Sequence, residues 1–489
     1  MTASKTALPD MEPQPVSADV SAKEFLFPPR LPSLDVLRGI AVLLGMLVSV
    51  WVFGGFSQND QNGLLLSSKG FNYRLFGTID ILFDGKMRAL IAIVFGAGIL
   101  LFLSKETKEG EPGTHDLFIR RQMWLILFGI VNGLLFLWTQ DVLFHLGVMG
   151  ILLFPFTRLP ARGLLIAATI ATLIYSGKNY WSYADDRKAY SKYVAVTKAE
   201  EKIKNDSISK ARTITAAGIK DSTVKKDTLT KKQADEKGAW EGIVGGMKYD
   251  PKKDDGENKA MRATSYGSIY DHRMPALQAR EAQWTYQFGI WDFGSMILLG
   301  MALFKLRFFT AGFSRKRYLL IGLVGITAGI LLGWYRLHHH QHTLQDYAKY
   351  INSHYLPHTF FFPFERAFAA IGYASLVVFL IDAGIGKLLW RGFANVGRLA
   401  LTNYLAQSLI CTLFFTGVGA GYFGRLTQVQ LYLFVMELFI VQVIFSSLWF
   451  KLYDTGPAEW LWRSLVYWKR LPFKKKKRQS LETALPTIF

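Results

Sequence analysis

Leu34-Asp35-Val36-Leu37-Arg38-Gly39 opens an apolar run that continues from Ile40 to Phe53. An acid and a base stand three residues apart at its head. On a helix such residues share a face, with Cβ atoms about 5–6 Å apart. Either charge alone at a helix centre would cost about 2.5–3.5 kcal/mol on insertion scales, whereas a pair neutralises itself. Two readings follow: an anchor at the membrane edge with Arg38 reaching lipid phosphate, or a buried pair that shapes a polar cavity.

The same kind of run recurs through the 489 residues, of which 51% are hydrophobic and 15% aromatic. The apolar blocks are about 17–25 residues long, enough to span a hydrocarbon core. They are continuous rather than alternating, which excludes a barrel. The expectation is an all-α, polytopic membrane protein of about ten transmembrane helices, near 34–54, 87–104, 120–138, 141–157, 161–177, 287–306, 317–335, 359–383, 395–416 and 428–450.

A formal net charge of +20 raises nucleic acid as a partner, but the bases sit in short loops and the tail. With the amino terminus cytoplasmic, the inward loops carry Lys105, Lys108, Arg120 and Arg121, then Arg158 and Arg162, then Lys305 to Arg317, then Lys387 and Arg391, and finally Lys474 to Arg478. The outward turns near Thr139 and Tyr422 hold almost none. This is the positive-inside pattern. It predicts a bacterial-type inner-membrane protein with both termini cytoplasmic, membrane lipids as partners and no nucleic acid. The single cysteine, Cys411, forbids an intramolecular disulfide. Residues 1–33 have no apolar core of a signal peptide, so the first span is expected to be the insertion signal.

The expected organisation is a cytoplasmic segment at 1–33, five helices over 34–177, an extracytoplasmic insertion at 178–286, five helices over 287–450 and a basic tail at 451–489. The middle of the insertion, Lys198 to Lys237, has no aromatics and reads as solvated helix or disorder. Trp240, Tyr249, Tyr266, Tyr270, Trp284 and Tyr286 predict that its flanks pack back on the membrane part, and the segment is a candidate surface for an extracytoplasmic partner.

Polar residues inside the apolar blocks are the candidates for function. Asp80 and Asp84 lie at i and i+4, with Lys86 and Arg88 as counter-charges. They read as an interfacial segment or as proton-exchanging carboxylates. Phe95-Gly96-Ala97-Gly98 offers small residues for a close helix approach. Asn132 precedes Asp141 and His145, again i and i+4. The carboxylate orients the imidazole in one reading and caps a helix in the other. Glu365-Arg366 is another acid–base pair, and Glu437 and Gln442 are expected to face protein. Asn403 and Gln407 form a polar stripe suited to hydrogen bonds between helices. His338 to His342, with His354 and His358, lie in a stretch read as an outward loop; no cysteine or regular carboxylate spacing accompanies them, so no metal site is assigned.

Gly397-Arg398-Leu399-Ala400-Leu401-Thr402-Asn403-Tyr404-Leu405-Ala406-Gln407-Ser408, then Ser447, Trp449, Gly456 to Arg463 and Tyr467-Trp468-Lys469, closely resemble the carboxy-terminal signature of YeiB-like membrane proteins (domain of unknown function 418). Leu34-Asp35 to Arg38-Gly39, Gly85-Lys86, Arg120-Arg121 and Asp141-Val142-Leu143 agree, whereas most of the outer segment looks like an insertion. The opening Leu-Asp-x-x-Arg-Gly is similar to that of transmembrane acyltransferases that move acyl groups from coenzyme A to extracytoplasmic sugars. The chain departs from these patterns at Asn132, Gln140 and Ser49, where relatives carry His, Gly and Asn, and residues 54–86 lack a histidine.

Three functions remain open. In an acyltransferase, His145 and Asp141 act as base and orienter, Asp35, Arg38 and Arg398 shape the site, and acetyl-coenzyme A or another acyl donor is the co-substrate. In a carrier or lipid-handling protein, Asp80, Asp84 and Glu365 titrate. In an assembly subunit, the insertion binds a partner.

Overall fold

The computed structural model describes residues 31–104, 112–216 and 229–473. Lys105, Lys108 and the basic tail from Lys474 lie outside the described residues, as do 1–30 and 217–228. The described elements are helical: α1 Pro32–Gly54, α2 Gln58–Ser67, α3 Gly70–Phe83, α4 Lys86–Leu103, α5 Thr114–Leu135, α6 Leu143–Leu152, α7 Ala161–Ala216, α8 Lys231–Met247, α9 Asp255–Met261 and α10 Tyr266–Gln278. A π-helical segment, Ala279–Gly289, leads into α11 Ile290–Lys305. There follow α12 Arg315–Gln345, α13 Tyr347–Ser353, α14 Phe362–Asp382, α15 Lys387–Arg398, α16 Ala400–Phe415, α17 Gln428–Leu452 and α18 Pro457–Tyr467.

Local chemistry sets these boundaries. Pro32 in the first turn of α1 costs no hydrogen bond there, Asp35 suits the positive helix start, and Gly55 ends the helix in the left-handed region at φ 76°. Thr427 and Gln430 cap α17 reciprocally. Gly85, at φ 71°, breaks the path from α3 into α4 where a side chain would be strained, and turns Lys86 inward.

Among the described residues, seven helical stretches are long and apolar enough to cross a membrane: α1, α3 with α4, α5, α10 through α11, α12, α14 and α17. The protein is therefore an all-α polytopic integral membrane protein. Of the ten spans expected, three differ in form. The fourth is the ten-residue α6, and the ninth is broken at Leu399 into α15 and the 16-residue α16. The fifth is only the start of α7, whose 56 residues extend about 84 Å. Charged residues after Lys178 carry the rest of α7 beyond any apolar layer.

The insertion has no sharp edges, because position 178 lies inside α7 and 286 inside the π-helical segment. Its first third is helical to Ala216 and pairs with α8 through Lys237–Glu200 at 2.6 Å and Lys192–Glu236 at 3.4 Å. Trp240 stacks on Tyr347 with centroids 5.4 Å apart. Asn59 donates to the Asp250 carbonyl at 2.8 Å, and the Gly417 N–H to the Met261 carbonyl at 3.0 Å. The flanking aromatics other than Tyr286, which is exposed, and α9 thus rest on the end of the bundle, here called the insertion side; the opposite end, with α15 and α18, is the tail side. The supposed loop at 335–359 is helical as far as Ser353, in α12 and α13, with His338 to His342 on the last turns of α12, whereas 354–359 is irregular.

The core gathers on α4. A Cβ on Gly96 would strike the Ile297 backbone, so α4 and α11 cross in close contact there, whereas Gly98 faces open space. The close approach expected of 95–98 rests on Gly96.

Candidate functional site: two opposed cavities

Two cavities enter the bundle from opposite ends. The insertion-side cavity, about 540 Å³, is lined by α1, the α3–α4 break and the end of α12. Asp254, Glu257, Asn258 and Arg273 from the insertion form its mouth. The tail-side cavity, about 300 Å³, lies among α1, α4, α5, α16 and α18. Val42, Ile91, Val142 and Tyr404 line both, so the cavities meet back to back across these four side chains.

The Asp35–Arg38 pair forms, at 3.0 Å, and lines the tail-side cavity. It shares that lining with Arg121, Arg398 and Arg463. Arg121 lies over the Trp462 ring at 4.5 Å, and Arg398 over Phe450 at 3.6 Å. Glu459, another lining residue, accepts from the N–H groups of Leu401 at 2.7 Å and Thr402 at 3.1 Å, anchoring the start of α16. Burial pushes its carboxyl up, and these donors pull against that.

Asp80 and Asp84 line the insertion-side cavity. Their partner is Arg336, 2.8 Å from Asp80 and 3.9 Å from Asp84. Arg336 also reaches Glu365 at 2.9 Å, and Glu365 in turn pairs with Lys86. A second set adjoins it, in which Asp292 binds Arg366 and, at 3.3 Å, Arg88. Four carboxylates and four cations thus offset one another's charge beneath the cavity, which is how such charges persist in a membrane, while Nε and one terminal nitrogen of Arg366 have no hydrogen-bond partner among the described residues. Lys86 and Glu365 are buried below the cavity wall, whereas Arg88 lines it.

The Asp141–His145 dyad does not form as expected. Asp141 caps α6 by accepting from the Phe144 N–H at 2.7 Å, and its other oxygen accepts from Asn132 at 2.8 Å and Tyr404 at 3.1 Å. His145 Nδ1 contacts the backbone carbonyl of Asp141 at 2.8 Å instead. Its ring is fully buried, stacked on Phe293 at 5.2 Å and edge-on to Trp284 at 5.3 Å, outside the linings of both cavities. Tyr404 holds the position between the cavities: its hydroxyl accepts from Trp138 Nε1 at 3.0 Å and the Val142 N–H at 3.1 Å while donating to Asp141.

Asn403 and Gln407 tie α16 to its neighbours. Asn403 donates to Ser446 at 3.0 Å, Gln407 to Gln442 at 2.9 Å, and Gln442 back to the Asn403 carbonyl at 3.0 Å. Gln407 and Ser49 also line the insertion-side cavity. Glu437, expected to face protein, is exposed on α17. Five residues turn a helix by about 140°, so Glu437 and Gln442 cannot share a face. His338 and His342 approach with Nε2 atoms 3.1 Å apart, but among the described residues no three His, Cys, Asp or Glu side chains form a metal-binding group.

Sequence reasoning missed Arg336, Asp292 and Tyr404. Arg336 fell one residue beyond the expected seventh span because the following histidines lower the hydropathy. Asp292 stood alone in its block, and its partners come from other helices. Tyr404 was visible only as part of a motif.

The fold and its opposed cavities define an α-helical integral membrane protein built around buried polar side chains. Residues 303–469 match the family described as "Protein of unknown function (DUF418)". The "Uncharacterized protein YxaH" of Bacillus subtilis is 26% identical over 92% of this chain and 97% of its own length. The "Uncharacterized protein YeiB" of Escherichia coli is 26% identical over 89% and 95%. The chain is thus similar to YeiB-like proteins along most of its length, and its carboxy-terminal third carries their family's signature. No solved structure matches.

Proposed function

We propose that the protein transfers an acyl group across a bacterial inner membrane, from a coenzyme A-type thioester in the tail-side cavity to an acceptor in the insertion-side cavity. The observation that carries this reading is the shared wall: both cavities are present in one conformation and are separated only by Val42, Ile91, Val142 and Tyr404. Alternating access in a carrier instead rocks one half against the other around a single site. The guanidinium groups of Arg38, Arg121, Arg398 and Arg463 suit the donor's phosphates. The bases at Arg158, Arg162, Lys305, Arg315, Lys387 and Arg391 favour the tail side as cytoplasmic, with both termini there.

In this reading the acceptor's oxygen attacks the thioester carbonyl, a C–O bond forms, the C–S bond breaks and the acceptor's proton ends on the departing thiol. Tyr404 supplies the only hydroxyl on the shared wall, and Asp141 and Asn132 fix its orientation. His145 then acts through packing rather than as the base.

The linked charges around Asp80, Asp84 and Glu365 favour a second reading, a carrier or lipid-handling protein whose cavity floor exchanges protons. The α7–α8 hairpin would suit an assembly partner. Thermal unfolding of the detergent-purified protein with acetyl-coenzyme A separates these. Acyl transfer predicts stabilisation by about 2.7 kcal/mol at a hundred-fold excess over Kd, weakened by Arg38→Ala. No shift at millimolar thioester, with folded protein, removes the coenzyme A reading.

A further inference from the structure

A third recess lies outside both cavities. It has a volume of about 430 Å³, and its polar walls are Thr139, Gln140, Arg280, Gln283 and Gln287, with Trp284 beside them. Its key side chain is Arg280, whose guanidinium stacks 3.3 Å from the centre of the Trp284 ring. Its Nε is buried with no hydrogen-bond partner among the described residues. Asp292, the carboxylate whose charge reaches Arg280, is already paired with Arg366 and Arg88. The adjacent Glu281 points instead to α5, beside Gly133. The recess therefore offers one cation and several amides, and none of its lining residues is acidic.

Height in the membrane narrows the ligand. The 16 residues of α11 rise about 24 Å from Lys305, most of the roughly 30 Å hydrocarbon layer. The π-helical segment above it thus stands at the headgroup level of the insertion side. Eleven consecutive π-helical residues are unusual, since such geometry normally occurs as single-turn bulges, often at functional sites. Along α5, Met123, Leu127, Val131 and Leu135 form an exposed apolar row at i, i+4 spacing that ends four residues before Thr139.

We propose that this recess binds the phosphate headgroup of a membrane lipid. Arg280 pairs with the phosphate, Gln140, Gln283 and Gln287 donate to its oxygens, and the acyl chain lies along the α5 row. Gln140 also lines the insertion-side cavity, so a lipid seated here stands beside that cavity's wall and gives lipid-borne ligands a sideways approach to it. The proposal does not depend on acyl transfer.

The test is thermal unfolding of the full chain in detergent with three probes: dihexanoyl phosphatidylglycerol, dihexanoylglycerol and inorganic phosphate. The phosphatidylglycerol is expected to raise Tm, with little effect from the other two at equal concentration. Arg280→Ala should weaken its apparent affinity about ten-fold, the scale of one lost charge-assisted contact. Gln283→Glu, which places an acid on an exposed side chain, should do the same and serves if Arg280→Ala fails to fold. Equal response of wild type and both variants overturns the proposal. So does an equal shift with inorganic phosphate, which would make this a free-anion site, or with dihexanoylglycerol, which would make it an apolar one.

Discussion

Lys86 and Glu365 bury opposite charges side by side, with Arg336 closing the set on Asp80. Removing one partner of a buried pair typically costs about 3–5 kcal/mol, because the other charge is stranded. Lys86→Ala is therefore expected to lower thermal stability strongly, and Lys86→Met combined with Glu365→Met to lower it much less; equal losses would deny that the pair is coupled. A second contrast lies on α17. Gln442→Leu removes the side-chain donor to the Asn403 carbonyl and leaves the Gln407 amide only the Val42 carbonyl at 3.3 Å, and should cost about 1–3 kcal/mol. Glu437→Leu, on the exposed face between Leu433 and Ile440, should leave Tm unchanged or raise it. A fall matching that of Gln442→Leu would mean that Glu437 has a partner outside the chain. Residue types alone made Asp35, Asp80, Lys86 and Glu365 legible as buried or paired candidates. Their partners were not legible beyond Asp35–Arg38, because only that pair is local in sequence.

At the scale of elements, Gly96 and Gly98 differ sharply despite adjoining the same residue. A methyl on Gly96 meets the Ile297 backbone, which cannot yield without separating α4 from α11, whereas one on Gly98 meets nothing within 4 Å. Gly96→Ala should cost about 1–3 kcal/mol by overpacking, and Gly98→Ala should be tolerated. Equal Tm values for the two would contradict the crossing. In the insertion, Trp240 is the buried anchor of α8 among Tyr190, Tyr193 and Tyr347. Trp240→Ala should release the α7–α8 hairpin to limited proteolysis while the membrane helices persist; unchanged cleavage would show the hairpin stands without it. Periodicity and length made most spans legible. They failed at α6, α7 and the α15–α16 break, where helix length no longer follows apolar length.

For the whole molecule, the all-helical membrane architecture followed directly from composition and block length. The opposed cavities did not, since they arise from how α1, α4, α16 and the α5–α6 turn pack, and Val42, Ile91 and Val142 carry no chemical signal of their own. Tyr404 is the exception in kind, and its tether to Asp141 links the turn to α16. Acyl transfer across the shared wall is most directly tested in sealed membrane vesicles that expose the tail side. With acetyl-coenzyme A radiolabelled in the acetyl group supplied outside, label should accumulate in a product in the lumen only when the protein is present. Arg38→Ala should reduce that accumulation and Tyr404→Ala abolish it. Label that stays outside, or enters equally without the protein, would contradict transfer between the two cavities.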